Sequence, residues 1–115
     1  MTDSAYNGVL ASLPVTDLAA AASWYERLFG RPADRRPIPG LVEWQLTVGG
    51  GVQLAQADGA GTGTATLTVD DLDMLVVDLR SRDVEVEDPT TGTGARFTQL
   101  TDPDGNTVVL AEALR

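Results

Sequence analysis

Apolar residues fall in two alternating regimes, and the change from one to the other happens twice. Leu13-Pro14-Val15-Thr16-Asp17-Leu18 alternates apolar and polar positions up to an aspartate, and 54 residues later Leu67-Thr68-Val69-Asp70-Asp71-Leu72 does the same. A period of two over such a run is the mark of a half-buried strand. After each aspartate the period lengthens to that of a helix: Leu18, Ala21, Ala22, Tyr25, Leu28 and Phe29 in the first instance, Leu72, Leu75, Val76 and Leu79 in the second. The aspartate carboxylate suits a helix start, where it accepts amides that have no partner within the helix. Gly30 can close the first helix in a left-handed conformation, with Pro32 behind it, while Asp83 holds the comparable place less comfortably. The pattern predicts helices over 17–29 and 71–82.

Short strand candidates follow each helix, at 33–37, 41–48 and 51–56, then at 84–87, 95–101 and 107–112. Val48-Gly49-Gly50-Gly51 and Asp102-Pro103-Asp104-Gly105-Asn106 fall at matching turns, where Gly or Asn supplies a positive φ. The second turn is two residues longer, so Val52-Gln53-Leu54-Ala55 matches Val108-Val109-Leu110-Ala111 at an offset of 56. Between the copies, 57–63 has the Gly- and Ala-rich composition of a linker. The chain therefore reads as one α+β domain over 1–115, made of two βαβββ modules at 8–56 and 64–112. A half of about 50 residues does not readily bury its sheet alone, so the modules should pair, within one chain or by exchange with a second. Pairing gives a curved mixed sheet, with the helices on one face and a concave cleft on the other.

Composition narrows the chemistry. The 115 residues include no His, no Cys and no Lys, which removes imidazole bases and ligands, thiol nucleophiles, disulfides, Schiff-base lysines and the usual catalytic triads. The net charge is −9 and is unevenly spread: residues 1–57 carry 5 acids and 4 Arg, whereas 58–115 carry 12 acids and 4 Arg. Such a field repels nucleic acid, and it either attracts a cationic ligand or simply keeps a small protein soluble. No apolar run reaches the roughly 18 residues of a membrane span, and Met1-Thr2-Asp3-Ser4 has no basic or apolar leader character, so the expected location is cytoplasmic.

The combination of Val15-x-Asp17-Leu18, Trp24-Tyr25, Leu28-Phe29-Gly30 and Asp102-Pro103-Asp104-Gly105-Asn106 resembles the vicinal oxygen chelate superfamily, which includes glyoxalase I, extradiol dioxygenases and bleomycin-resistance proteins. The resemblance spans nearly the whole chain and implies the glyoxalase/bleomycin-resistance fold. In the metal enzymes of that group four residues bind a divalent ion, one from the first and one from the last strand of each module. Here those positions fall on Leu10, Gln53, Thr64 and Val109. One amide and one hydroxyl do not make a divalent-ion site, so no metal and no other cofactor is expected.

Other residues keep two readings at this level. Trp24 and Tyr25 fit core packing. Trp44, with Val42, Leu46 and Val48 in its alternation, can face the helices or stand as a stacking wall in the cleft, and Phe97 and Gln99 share the same ambiguity. The expected ligand cleft comprises Leu10, Trp44, Gln53, Thr64, Phe97, Gln99 and Val109. Arg35 and Arg36 sit in a Pro-rich loop, solvated or clamping a ligand anion, and Thr90-Thr91-Gly92-Thr93-Gly94 is polar enough for a flap. Asp70, Asp71 and Asp73 suit a helix start, and the acids of 83–88 suit a solvated edge strand. The expected function is metal-independent binding of a small organic ligand by a homodimer, by analogy with bleomycin-resistance proteins that sequester a cationic drug, without catalytic residues. The alternatives are a glyoxalase-like lyase or isomerase, with an unusual metal site or with Glu43 as base, and a partner-binding module whose pocket is filled by its own side chains.

Overall fold

A computed structural model describes residues 5–114; Met1 to Ser4, read above for a leader, and Arg115 lie outside the described residues. The chain runs β1 (Val9–Val15), α1 (Leu18–Phe29), β2 (Leu41–Thr47), β3 (Gly50–Gln56), β4 (Thr64–Thr68), α2 (Leu72–Ser81), β5 (Thr90–Thr91), β6 (Ala95–Thr101) and β7 (Thr107–Ala113). It is a mixed α+β fold. No helix among the described residues is long and apolar enough to cross a membrane.

Both helices begin and end by the same chemistry. Asp17 Oδ1 accepts from Ala20 N and Asp71 Oδ1 from Met74 N, each at 3.1 Å. At the far ends, Arg31 N reaches Glu26 O and Val84 N reaches Leu79 O, each bond spanning a reversal made by one left-handed residue. That residue is Gly30 at φ 74° in α1 and Asp83 at φ 61° in α2. Aspartate is one of the few residues with a side chain that adopts this conformation at modest cost.

The strands form two hydrogen-bonded sheets, β1-β3-β2 and β4-β7-β6-β5. Each pairs its first strand parallel to its last, β1 with β3 and β4 with β7, and its remaining strands antiparallel. The edges of β1 and β4 approach one another without a ladder between them. One face of each sheet carries the core. Leu13, Val15, Val42, Trp44, Val52 and Leu54 pack with Ala21, Ala22, Tyr25 and Leu28 of α1, while Ala65, Leu100, Val108 and Leu110 pack with Leu72, Val76 and Leu79 of α2.

Two strand expectations are corrected. The 33–37 segment contributes only an isolated bridge between Arg35 and Glu43. The 84–87 segment forms no strand, although Val84 is buried and Val86 packs on the core. Side chains take its carbonyls instead: Arg80 Nη2 donates to Val86 O at 2.7 Å and Thr98 Oγ1 to Glu87 O at 3.0 Å. The edge beside β6 is filled by Thr90-Thr91, so the segment read as a flap is a hairpin arm paired to Phe97 and Arg96.

The Asp102-Pro103-Asp104-Gly105-Asn106 turn clasps the halves together. Asp102, buried, accepts Tyr25 Oη at 2.8 Å, Asn106 Nδ2 at 2.9 Å, and the Asp104 and Asn106 amides at 2.9 Å. Asn106 in turn donates to Pro14 O at 2.8 Å and accepts Gly63 N at 2.8 Å, and Asp104 accepts Thr16 N at 3.0 Å. Burial and the Asp102 carboxylate push the Tyr25 hydroxyl pKa well above its ordinary value. A second clasp joins the helix ends: Arg82 donates to Arg27 O and Leu28 O, and Arg27 to Asp83 O.

Candidate functional site

Strand alternation decides what the opposite sheet faces present. With Leu13, Val15, Val52 and Leu54 turned to α1, the intervening residues of β1 and β3 turn away from it. The registers then set out rows on the first sheet: Leu10 beside Gly51 and Gln45, and Ser12 beside Gln53 and Glu43. On the second sheet the rows are Thr64-Thr107-Thr101, Thr66-Val109-Gln99 and Thr68-Ala111-Phe97-Thr90.

Six of the seven expected cleft residues therefore lie on faces that no helix covers. Leu10 is 42% exposed and Phe97 41%, Thr64 and Gln99 are exposed, and Gln53 and Val109 are half-buried. Leu10 and Gln53 share one sheet face, and Thr64, Phe97, Gln99 and Val109 share the other. Trp44 borders a cavity at the end of the first sheet but does not share either open face. It is fully buried on the helix side, with its ring 6.1 Å from Tyr25 and 5.4 Å from Phe29, and its indole Nε1 donates to Arg31 O at 3.0 Å. A large ring with one donor fits that aromatic cluster and finds its polar partner at the cluster's rim.

A cavity of about 400 Å³ opens at the end of the first sheet, with Leu10, Asp34, Arg35, Glu43, Gln45 and Val48 among its lining residues. Its wall is the loop after α1, which is tied down along β2. Asp34 N and Arg35 N donate to Glu43 O, Glu43 N donates to Arg35 O, and Gln45 N donates to Asp34 Oδ2 at 2.7 Å. The Asp34 carboxylate also holds Arg31 at 3.1 Å. Inside this wall Glu43 Oε1 accepts Arg35 Nη2 at 3.0 Å and Nε at 3.3 Å. Asp34, Ser12 and Thr66 were not singled out from the sequence. Ser12 and Thr66 occupy equivalent places beside Gln53 and Val109, and the unequal repeat offsets of 54 and 56 are the signal that pairs them.

The four positions that bind metal in the family's enzymes do not fit a divalent ion here. Leu10 and Val109 have no donor atom, and the amide of Gln53 and hydroxyl of Thr64 supply no charge. Among the described residues, no group of three or more Asp or Glu side chains is placed to hold a metal elsewhere.

Glu112 and Arg96 serve structure. Glu112 Oε1 accepts Leu72 N at 2.6 Å, a second cap on α2, and Arg96 pairs with Asp73 at 2.6 Å. The hydrogen bond from Arg96 holds the Asp73 carboxyl below its ordinary range.

Two consecutive strand-helix-strand units, each turning a helix-free sheet face outward and joined through a buried turn, define an α+β protein of two similar halves. The chain belongs to the glyoxalase/bleomycin resistance protein/dioxygenase superfamily, whose family model matches residues 8–110. It is similar to a glyoxalase/bleomycin resistance protein from Catenulispora acidiphila, with 30% identity over 93% of this chain and 98% of that one and a TM-score of 0.86. The fold is shared with TnmS3, an antibiotic-binding protein from Streptomyces sp. CB03234, at 24% identity, 99% coverage of both chains and a TM-score of 0.78. It is shared too with a bleomycin resistance determinant encoded on the transposon Tn5, at 23% identity, coverage of 93% and 98%, and a TM-score of 0.78. No curated protein matches the sequence.

Proposed function

We propose that this protein binds a small organic ligand, a cationic or aromatic compound such as an antibiotic, on the helix-free sheet faces and without a metal at the four family positions. The observation that carries the reading is the cavity beside Leu10 and Glu43, on a face whose family ligand positions, Leu10 and Gln53, offer one neutral amide and no charge to a metal. The names of TnmS3 and of the Tn5 determinant point to antibiotics as the compound class to test first. Leu10, Gln53, Thr64, Phe97, Gln99 and Val109 are the contact residues of this reading, within a single domain of modules 8–56 and 64–112. The cavity is lined by the first half alone, so a ligand seated there has one protein wall. A homodimer that lays the second-half face of another copy over it supplies the other. We take the place of action to be the cytoplasm, and the charge of −9 argues against a nucleic-acid partner.

Calorimetric titration with bleomycin-type and other cationic aromatic compounds tests the binding, and light scattering with and without ligand tests the dimer. Saturable binding that Leu10→Asp and Val109→Asp both weaken by tenfold or more is the expected result. Binding indifferent to both changes, or none across the panel, counts against the reading.

A further inference from the structure

The cavity contains one ion pair whose two members are unequally held. The Glu43 side chain is only 10% exposed, enclosed by β2 and the loop over it, whereas the Arg35 side chain is 72% exposed. Both guanidinium contacts fall on the same carboxylate oxygen, Oε1. A carboxylate withdrawn from water needs a cation beside it at all times, and removing that cation is costly. A guanidinium mostly in water gains little from the same pair, because it is hydrated whether or not it is bound.

From this asymmetry, and resting on the proposed ligand-binding role of the cavity, we infer that Arg35 is an exchangeable counter-ion: the cationic group of a ligand takes its place on Glu43. The incoming amidinium, guanidinium or ammonium inherits a desolvated carboxylate whose burial the fold has already accommodated. Arg35 swings out to solvent at small cost, since its backbone is fixed by the bridge to Glu43 and only its side chain has to move. The other acid in the wall does not compete for the ligand, because Asp34 Oδ2 is engaged by Arg31 and by Gln45 N. Specificity for a positive charge therefore resides in Glu43, and Arg35 sets the threshold a ligand must exceed. A neutral ligand gains nothing from Glu43, and an anion meets its charge behind the guanidinium.

Benzamidine, with benzamide and benzoate as its neutral and anionic counterparts, tests this directly. Benzamidine should bind at least about tenfold more tightly than either, and added salt should weaken it. In the intact protein the Arg35 Nε–H resonance should move to that of a solvated guanidinium as benzamidine saturates. Arg35→Gln, which removes the competitor, should tighten benzamidine by about twofold to fivefold, the scale of one exposed ion pair. Glu43→Gln, which leaves no buried charge to compensate and keeps the side-chain shape, should abolish the preference for benzamidine over benzamide. An Arg35 resonance that does not respond, or a preference that survives Glu43→Gln, overturns the exchange. Amide shifts at Leu10 and Gln53 separate the two levels of the argument. If all three compounds shift them equally, the cavity binds ligands but the exchange is wrong, and if none does, the ligand-binding role itself fails and the exchange with it.

Discussion

The two modules share a scaffold and differ in where their charge sits. The second half carries 12 of the 17 acidic residues, yet its helix-free face shows only Thr, Val, Ala, Phe and Gln along the paired rows of β4, β7 and β6. Nine of its acids lie at the α2 start, in the irregular stretch after α2 and in the turn that clasps the modules, and the others are Asp58 in the linker, Asp78 within α2 and Glu112 on β7, which caps α2. The first half, nearly balanced in charge, places the buried Glu43 on its open face beside a cavity. Net charge per module thus misleads about the charge of the candidate site. A carboxylate at a helix start or in a turn is consumed by backbone amides, and what a ligand meets depends on strand register.

The sharpest way to break the symmetry between modules is through the clasp, which the turn of the second module supplies. Asp102→Ala strands the Tyr25 hydroxyl and the Asn106 donors in the interior, and should cost about 3–5 kcal/mol in denaturant unfolding. In the matching turn of the first module Val48 is 99% exposed, so Val48→Ala should leave the unfolding midpoint nearly unchanged.

A smaller effect separates the phenol from the carboxylate. Tyr25→Phe keeps the ring cluster and removes one bond to Asp102, for an expected loss of about 1–3 kcal/mol. Its pH dependence has a definite sign. The folded-state pKa of Tyr25 lies above the ordinary 10.0, so the stabilisation is complete below pH 10 and falls away as pH rises above it. Alkaline unfolding curves should therefore steepen for the native chain and flatten for Tyr25→Phe.

The helix starts sharpen the comparison further. Asp17→Ala removes the side-chain cap seen on α1 and should cost about 1 kcal/mol. Asp71→Ala should cost about half that, because Glu112 still holds Leu72 N, and Asp71→Ala combined with Glu112→Ala should exceed the Asp17 value. The smallest effect is at the exposed Asp73–Arg96 pair. With the Asp73 pKa lowered, its contribution is present above the ordinary value of 3.8 and is lost as pH falls through the folded value. Asp73→Asn should remove this small contribution near neutrality and flatten the acid limb, so that the two stability profiles converge at low pH.

Much of the architecture was legible as pattern. Both helices appear where the change from alternating to helical spacing puts them, because an aspartate cap and an apolar stripe act locally. Strands 84–87 and 33–37 misled because alternation shows that a segment can line a core, whereas a ladder also needs backbone partners: along β2 the Asp34 carboxylate takes the Gln45 amide, which leaves 33–37 only its bridge at Arg35 and Glu43. Arg80 and Thr98 satisfy the carbonyls of Val86 and Glu87, and Thr90-Thr91 holds the β6 edge. For the candidate site, the outward placement of Leu10, Gln53, Thr64 and Val109 followed from the repeat once the helix side was assigned. Trp44 could not be placed that way, since period two fixes which residues share a face and leaves open which face meets the helix.

By itself the sequence determined the repeated strand-helix pattern and the helix limits, since these depend on residue identity and local spacing. Only the tertiary structure decided that Trp44 joins Tyr25 and Phe29, that Asp102 binds a tyrosine 77 residues away, and that Glu43 is the buried acid of the open face. Those three outcomes depend on which surfaces meet when two sheets and two helices close on one another. Burial and pairing across long stretches of chain are properties of that closure, and local spacing carries no record of them.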